Sequence, residues 1–513
     1  MSKNFFDMRY RLGVLLISCL LFACSEKQTV LKPNIVIIYM DDLGYGDLGV
    51  NGAQGVKTPN IDRLAREGVQ FTDAHCTAAT CTPSRFSILT GSYAFRNNAA
   101  ILPGDAPLLI RPGTPTLPGM LQRAGYTTAV IGKWHLGLGD GIIDWNAEIK
   151  PGPLEIGFDY SFLLPATADR VPCVFVEDHR VYRLDPADPI KVDYAKDFKY
   201  YPNGLGSPEL LKYEADTQHS NSIINGISRI GFMAGGKSAL WKDEDFADVF
   251  TGKMKSFVGK NKSKPFFLYF SLTDIHVPRI THSRFTGKSS MGYRGDVIVQ
   301  MDWVVGEVMK TLKENGLDKN TLVIFTSDNG PVLDDGYNDQ AVQLLGSHKP
   351  SGPFRGGKYS AYEAGTRVPT IVHWPGNISP GKSNALISQV DLFASLAKLT
   401  GQELDAIDAP DSFDMLSAWL GKSAQGRKTM LEESFTLSVR DGDWKYIAAQ
   451  TKPVPAWLAN KDIETGLQNT PQLFNLKDDV AESKNLITKY PEKGKELQTL
   501  LDNVLKKPTR QAE

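Results

Sequence analysis

The chain has 513 residues, a formal net charge of −1 and 22% charged residues. This length exceeds the usual range of a single hydrophobic core, so we expect one large and one smaller domain. The balanced charge argues against a nucleic-acid partner, because proteins that bind nucleic acid carry a basic surface. The sequence contains no low-complexity run and no regular repeat.

The first 23 residues have the features of an export signal. A positively charged segment precedes an apolar run over residues 12–23, which is too short to span a bilayer. The run ends in Leu21-Phe22-Ala23-Cys24, which is similar to a bacterial lipobox, where the signal is cut before a cysteine that is then acylated. We therefore predict a lipoprotein signal peptide over residues 1–23 and a lipid anchor at Cys24, with a plain secretory signal as the alternative. Both interpretations export the protein, and the first places it in the periplasm or at the outer membrane of a Gram-negative bacterium.

Short β-branched or aromatic runs alternate with helical patterns through most of the chain. Continuous apolar runs of this kind are typical of parallel strands that are buried on both faces, which predicts an α/β fold with a mostly parallel sheet between helices. A helix is predicted at Thr58–Gly68, with Thr58 as N-cap and Gly68 past its end. The predicted strands are Ile35–Tyr39, Thr127–Ile131, Phe266–Phe270, Leu322–Thr326 and Thr370–His373.

The alternation stops in the last quarter of the chain. A polar connection runs to about residue 430, and short strand-like pieces such as Trp444–Ala448 then precede a Lys-rich helical tail. We predict a catalytic domain over residues 24–430 and a small α+β domain over residues 431–513.

Polar side chains follow four of the predicted strands. Because the carboxyl ends of parallel strands meet at one edge of a sheet, we expect these side chains to form one site. They are Asp41, Asp42, Lys133, His135, His276, Asp328 and Asn329.

Cys81 begins the segment Cys81-Thr82-Pro83-Ser84-Arg85. Thr82 is the expected N-cap of a helix with Pro83 in its first position, so Cys81 is expected just outside a helix N-terminus, where free N–H groups favour an anion. Arg85, one turn later, adds a cation. Taken alone, these residues leave three interpretations open: a reactive cysteine, a buried free thiol, and a bridge to Cys76. Of the five cysteines, Cys19 is removed with the predicted signal and Cys24 would be acylated, which leaves Cys76, Cys81 and Cys173. Three thiols in an exported chain of this size do not make a disulfide framework.

This segment, continued by Leu89-Thr90-Gly91, resembles the signature of type I sulfatases, in which an enzyme oxidises the cysteine to formylglycine. The resemblance covers essentially the whole chain after the signal, in order, and implies an alkaline-phosphatase-like sulfatase fold, a formylglycine-generating enzyme as maturation partner, and sulfate-ester hydrolysis. Further matching segments are Asn34-Ile35-Val36, Gly132-Lys133-Trp134-His135, Ser327-Asp328-Asn329-Gly330 and Gly356-Gly357-Lys358.

The resemblance also implies a nucleophile and a metal site. The hydrated aldehyde of residue 81 offers two hydroxyls, of which one attacks sulfur and the other expels sulfate. Hard oxygen ligands suit Ca²⁺ or Mg²⁺ better than a soft-ligand metal, and the family favours Ca²⁺. The implied metal ligands are Asp41, Asp42, Cys81 as formylglycine, Asp328 and Asn329.

Five further residues are implied to act in catalysis: Arg85, Lys133, His135, His276 and Lys358. The cations hold the hydrate and the sulfuryl oxygens. His135 contacts the formylglycine hydroxyl and serves in sulfate release, and His276 or Lys358 protonates the leaving oxygen. His348 is expected to be a loop histidine, with a place in the substrate pocket as the alternative. The histidines that match no catalytic element are His75, His179, His219, His282 and His373.

The substrate is less well defined. The insertion from Pro165 to about Asn221, which contains Asp169-Arg170, is predicted to shape the pocket, and its polar character favours a sulfated glycan, with galactose or N-acetylgalactosamine sulfate preferred. Phe95-Arg96 stands where many family members have His-Arg, so a histidine contact near the substrate is expected to be missing. The alternatives are a phosphatase or phosphodiesterase, which would normally use Ser or Thr and a His-rich two-metal site, and a non-catalytic glycan-binding relative.

Overall fold

The computed structural model describes residues 32–461 and 463–512. The predicted signal peptide and Cys24 lie outside the described residues. From Pro33 onward the chain packs as one compact unit. Among the described residues, no helix combines the length and the apolar character that crossing a membrane requires.

A mixed sheet of ten strands forms the centre of the molecule. Its five middle strands are parallel and the outer ones are mixed, which confirms the predicted mostly parallel sheet. All five predicted strands are present within two residues of their expected ends. In spatial order the strands are β15 (Gly381–Ser383), β2 (Val69–Phe71), β14 (Thr370–His373), β13 (Thr321–Ser327), β1 (Asn34–Met40), β12 (Phe266–Ser271), β4 (Thr127–Lys133), β5 (Tyr160–Leu164), β6 (Val176–Glu177) and β7 (Arg180–Val181).

The register of the middle strands aligns their carboxyl ends. Met40 of β1 pairs with Ser327 of β13, and Ser271 of β12 pairs with Gly132 of β4. The residues that follow these strands therefore leave the sheet at one edge, as parallel pairing requires.

Most of the α-helices pack in two groups. One group contains α1, α4 and α5, and the other contains α2, α3, α6 and α7. Every residue of β1 is buried, so both faces of the sheet are covered. Helix α1 confirms the helix predicted at Thr58–Gly68. The helices of the described residues are α1 (Pro59–Glu67), α2 (Cys81–Thr90), α3 (Leu117–Arg123), α4 (Phe246–Asn261), α5 (Gly292–Glu314), α6 (Leu392–Thr400), α7 (Leu416–Trp419), α8 (Pro491–Lys506) and α9 (Thr509–Ala512).

The C-terminal region adds a four-stranded antiparallel sheet, which confirms a smaller α+β part. Helix α8 packs on this sheet through Leu497, Leu501 and Val504. Its strands are β17 (Thr429–Glu433), β18 (Leu437–Asp441), β19 (Trp444–Ile447) and β20 (Gln472–Asn475). The domain boundaries remain predictions.

Three two-stranded sheets complete the β-sheets of the described residues. Two of them pair β8 with β11 and β9 with β10. Strand β8 lies within the predicted insertion from Pro165 to about Asn221, and β9, β10 and β11 follow it directly. These strands are β3 (Ala74–His75), β16 (Ile387–Ser388), β8 (Lys191–Asp193), β11 (Phe232–Ala234), β9 (Ile223–Ile224) and β10 (Ile227–Ser228).

Candidate active site

Cys81 is the first residue of helix α2, with Thr80 as the N-cap. The expected N-cap at Thr82 is therefore wrong. Pro83 is then the third residue of the helix. A residue without an N–H is tolerated there, because the first N–H groups of a helix have no intrahelical partner. The thiol of Cys81 is free, as is that of Cys76, so no bridge joins them. Burial raises the pKa of the Cys81 thiol.

The polar residues after strands β1 and β13 meet beside Cys81. We call Asp41, Asp42, Asp328 and Asn329 the edge cluster; all four are fully buried. Asn329 donates from Nδ2 to Asp42 Oδ1 at 2.8 Å, and the Asp42 N–H donates to Asp328 Oδ1 at 3.3 Å. Asp42 has a φ of 61°, which aims its carboxylate back into the cluster. The sequence-based expectation that these side chains meet is thereby confirmed.

Two oxygens of the edge cluster have no hydrogen-bond partner although they are buried: Asp41 Oδ1 and Asn329 Oδ1. Burial, reinforced by the neighbouring Asp328, raises the pKa of the Asp41 carboxyl well above its usual range. A divalent cation bound by oxygens would give both atoms a partner and would stabilise the ionised form of the buried carboxylates. The donor set therefore fits a hard cation.

Three cations surround the edge cluster. Arg85 donates from Nε and Nη2 to Asp328 Oδ2 at 2.9 and 2.6 Å, and Lys133 donates to Asp41 Oδ2. Neither side chain lines the cavity that opens over Cys81. Lys358 donates to Asp42 Oδ2 and to Asp335 Oδ2, each at 2.9 Å, and it does face the cavity. Although burial acts in the opposite direction, Asp335 and Asp42 raise the pKa of Lys358 well above its usual range.

The two predicted catalytic histidines contact different parts of the site. His135 Nδ1 lies 3.2 Å from Cys81 Sγ, and its φ of 54° turns the ring towards α2. Burial, with Lys133 and Arg170, holds the pKa of His135 well below its usual range. His276 Nε2 lies 3.9 Å from Asp42 Oδ2, and its Nδ1 is 2.6 Å from the Val277 carbonyl. Burial and the Lys358 ammonium lower the pKa of His276 to about 4.

A cavity of about 340 Å³ opens over Cys81, His276 and Lys358. One wall comes from the predicted insertion, as expected. Another comes from the C-terminal region, which the sequence analysis did not predict to reach the cavity. The walls include Leu102, Asp169, Arg170, Tyr194, His219, Asp335, Tyr359, Phe435, Trp457 and Lys461.

Several of these residues were missed from the sequence. His219, which matches no family element, lies 3.4 Å from Asp169 in the cavity wall. Asp335 accepts from Lys358 and lies 3.6 Å from the Lys461 ammonium. Trp457 packs against Tyr359 with ring centroids 5.1 Å apart. The Asp-Asp pair at 334–335, soon after the matched Asp328-Asn329, was the available signal for Asp335; the aromatic wall had none.

Other expectations resolve outside the cavity. His348 bonds Asp47 at 2.8 Å and is a buried structural histidine, as favoured. Arg96 pairs with Asp411 at 2.7 Å, and neither Phe95 nor Arg96 lines the cavity, so the expected position of Phe95-Arg96 near the substrate was wrong. The chain turns away at Gly91, whose φ of 63° ends α2.

Comparison with known proteins places the chain in a family. A sulfatase family model matches residues 33–402. The chain belongs to the sulfatase family.

Its relatives include an N-acetylgalactosamine-6-O-sulfatase of Bacteroides thetaiotaomicron, which is 52% identical over 94% of this chain and 96% of its own length. Human arylsulfatase A is 31% identical over 92% of this chain and 86% of its own. A solved sulfatase structure from Bacteroides thetaiotaomicron, described with the metabolism of glycosaminoglycans, superposes with a TM-score of 0.90 at 52% identity and covers 92% of this chain and 99% of that one.

Proposed function

We propose that the protein removes the 6-O-sulfate of N-acetylgalactosamine in a sulfated glycan. The observation that carries this proposal is that Cys81 and Lys358 line one cavity, where Lys358 also bonds Asp42 of the edge cluster at 2.9 Å. The sugar and the sulfate position are inferred from the 52% identical relative, whose name specifies both.

The proposed cofactors follow from the donor set and the family. Formylglycine at residue 81 would supply a geminal diol as nucleophile and a route for sulfate release. Asp41, Asp42, Asp328 and Asn329 would hold Ca²⁺, whose charge activates the nucleophile and neutralises the sulfuryl oxygens. The unpartnered oxygens of Asp41 and Asn329 support this assignment.

The residues of the chain divide the proton transfers between them. Neutral His135, with Nδ1 towards residue 81, accepts the hydroxyl proton that must leave when sulfate is released. A carbonyl only accepts hydrogen bonds, so His276 carries its proton on Nδ1, towards Val277, and its Nε2 has none to give. We therefore assign protonation of the leaving oxygen to the Lys358 ammonium. Arg85 and Lys133 hold the carboxylates in place.

The cavity walls support a sugar substrate. Asp169, Arg170 and His219 offer charged donors and acceptors that suit vicinal hydroxyls, and the rings of Tyr359 and Trp457 offer an apolar face. A phosphatase is the closest rival, since phosphate and sulfate esters share geometry. It is disfavoured because the edge cluster holds a single group of hard oxygen ligands beside a cysteine. A binding-only relative is disfavoured because every expected catalytic position is filled.

Sulfate release measures the proposal directly. The enzyme, co-produced with a formylglycine-generating enzyme, is incubated with N-acetylgalactosamine 6-sulfate, its 4-sulfate and its 6-phosphate, and the released anions are separated by ion chromatography. We expect sulfate from the 6-sulfate alone, and a loss on the order of 10⁴-fold or more in Cys81→Ala, in line with removal of a nucleophile. Phosphate release alone would contradict the proposal. Sulfate release from the 4-sulfate alone would contradict the proposed 6-O position and assign the enzyme to the 4-O-sulfate.

We further propose export, with an N-terminal lipid anchor at Cys24. The support is the similarity of Leu21–Cys24 to a lipobox. Globomycin, an inhibitor of lipoprotein signal cleavage, should make a longer precursor accumulate, and Cys24→Ser should release the protein from membranes. A Cys24→Ser variant that stays membrane-bound would contradict the anchor.

A further inference from the structure

One segment of the cavity wall contacts His135 from behind. This segment, residues 99–106, is called the cavity loop, and its Ala100, Ile101, Leu102 and Pro103 line the cavity. The carbonyl of Leu102 lies 2.9 Å from His135 Nε2. The cavity loop is therefore the partner of the ring nitrogen that faces away from residue 81.

This contact determines which nitrogen of His135 carries the proton. The Leu102 carbonyl has no hydrogen to donate, so the proton of the neutral ring lies on Nε2. Nδ1, which faces Cys81, is then left with a free lone pair. If the carbonyl moved away, the ring would be free to place its proton on Nδ1, where it would block proton transfer from residue 81.

The cavity loop has few other tethers. At its C-terminal end, the Ala106 carbonyl accepts from the Leu138 N–H at 3.0 Å. Between residues 100 and 105, two hydrogen bonds reach other parts of the described chain: the one from His135, and one from the Gly104 N–H to the Tyr194 hydroxyl at 2.8 Å. The same hydroxyl donates to the Val171 carbonyl at 2.6 Å. One phenol oxygen thus joins the cavity loop to the strand-like segment that follows Asp169 and Arg170.

The contact at Gly104 is too close for any other residue. A Cβ added there would lie 2.1 Å from the Val171 carbonyl oxygen and 2.3 Å from the Tyr194 hydroxyl. Gly104 is buried and has no positive φ, so the close approach alone requires the glycine. This gives a second way to break the same tether.

We propose that Tyr194 is a positioning residue for sulfate release, because its hydroxyl holds the cavity loop where the Leu102 carbonyl orients His135. The inference rests on the proposed function for its chemistry. In the release step, the second hydroxyl of the residue 81 hydrate passes its proton to His135 Nδ1, its C–O bond becomes the aldehyde C=O, and the C–O bond to sulfate breaks with its electron pair leaving on sulfate. A His135 with its proton on Nδ1 cannot take part.

The first test reads the tautomer of His135 without any turnover. The unmodified Cys81 protein is labelled with ¹⁵N-histidine, and the His135 signals, assigned with His135→Gln, are recorded by long-range ¹H–¹⁵N NMR. We expect a proton on Nε2 in the wild type, and a mixture of both tautomers in Tyr194→Phe and in Gly104→Ala. Tyr200→Phe, which changes a fully exposed ring, is the matched control and should equal the wild type. An unchanged tautomer in both tether variants, with their melting temperatures retained, would overturn the proposal.

The second test follows sulfate on the matured enzyme. We expect kcat in Tyr194→Phe to fall about 10-fold, the usual scale for a residue that orients another, with KM little changed. Mass spectrometry of the quenched enzyme should find sulfate retained on the residue 81 peptide, because release has become the slow step. A raised KM without retained sulfate would assign Tyr194 to substrate binding and overturn the proposal. If the wild type released no sulfate, the proposed function would fail, while the NMR result would still decide whether Tyr194 positions His135.

Discussion

Two buried clusters among the described residues have the spacing of a metal site, and they differ in whether the protein's own cations neutralise them. Asp41 and Asp42 with His276, and Asp73 and His75 with Glu363, each bring three potential ligand atoms within 4.8 Å of one another. Asp41 and Asp42 of the first trio belong to the edge cluster, and its His276 lines the cavity. The second lies where the large sheet meets the C-terminal sheet, and we call it, with Glu432 and Lys445, the closed cluster.

The closed cluster is saturated by the chain's own cations. Arg440 donates to both oxygens of Asp73 at 2.8 Å, and Lys445 lies 3.0 Å from both Glu363 and Glu432. In the edge cluster, by contrast, oxygens of Asp41 and Asn329 have no partner. Proximity alone therefore does not identify a binding site: of these two trios, the first contains a buried oxygen without a partner and the second does not, so the first is the better candidate for a cation.

Of the substitutions that test the difference between the two clusters, Asp41→Asn should have the largest effect on metal content and activity. The variant keeps the shape of the side chain but removes a charge from the proposed metal site, so we expect bound calcium to fall and sulfate release to drop by more than about 100-fold. Elemental analysis of the purified protein measures the metal. Chelation should lower the melting temperature of the wild type but not of Asp41→Asn.

Asp73→Asn is the matched control in the closed cluster, and it should leave the metal content unchanged. Loss of calcium from Asp73→Asn would mean that the two clusters were assigned the wrong way round.

Lys445→Met tests the closed cluster by removing its central cation. Three buried carboxylates, those of Glu363, Glu432 and Glu482, would lose a common partner, so we expect the free energy of unfolding to fall by about 3–5 kcal/mol. Urea unfolding measures this. Lys495→Met, which breaks an exposed pair with Glu492, should change stability by less than about 0.5 kcal/mol. Equal effects of the two substitutions would show that the closed cluster contributes no more than a surface pair.

A smaller, pH-dependent effect is expected at Glu433, the neighbour of Glu432. Lys445 and His75 hold the pKa of Glu432 below its usual range despite burial, whereas burial raises the pKa of Glu433 to about 8. Between the unfolded value near 4.5 and about 8, the folded state keeps a proton that the unfolded state loses, so stability falls as the pH rises.

We therefore expect the wild type to lose about 2 kcal/mol of stability between pH 6 and pH 8 relative to Glu433→Gln, whose side chain does not titrate. Parallel pH slopes of the two proteins in urea unfolding would contradict this account. Lys445→Met should leave the Glu433 difference in place, because Lys445 contacts Glu432, and Glu432 and Glu433 leave opposite faces of β17.

The middle of the sheet and the edge cluster were predictable because their signals are local. Apolar runs mark β1, β4, β12 and β13, and parallel pairing then forces the polar residues at their ends to meet. The segment from Cys81 to Arg85 carries its own motif. Even so, the ion pair between Arg85 and Asp328, 243 residues apart, was not visible as a pair.

The cavity walls could not be predicted in the same way. Tyr194, Trp457 and Lys461 lie on segments that no motif marks, and they reach the cavity only because the insertion and the C-terminal sheet pack against the same edge. The sequence assigned a catalytic role to neither His219 nor His348. In the structure His219 contacts Asp169 in the cavity wall, whereas His348 is a buried partner of Asp47.

The sequence by itself determined which polar side chains follow each buried strand and which cysteine lies at a helix N-terminus. Periodicity, turn residues and a short motif carry that information, because each acts over a few neighbouring residues. Only the tertiary structure decided which acidic cluster is left open for a cation, which residues enclose the substrate, and which hydroxyl holds the loop behind His135. Those outcomes depend on packing between segments far apart in the chain, where the same side chain is neutralised in one place and left without a partner in another.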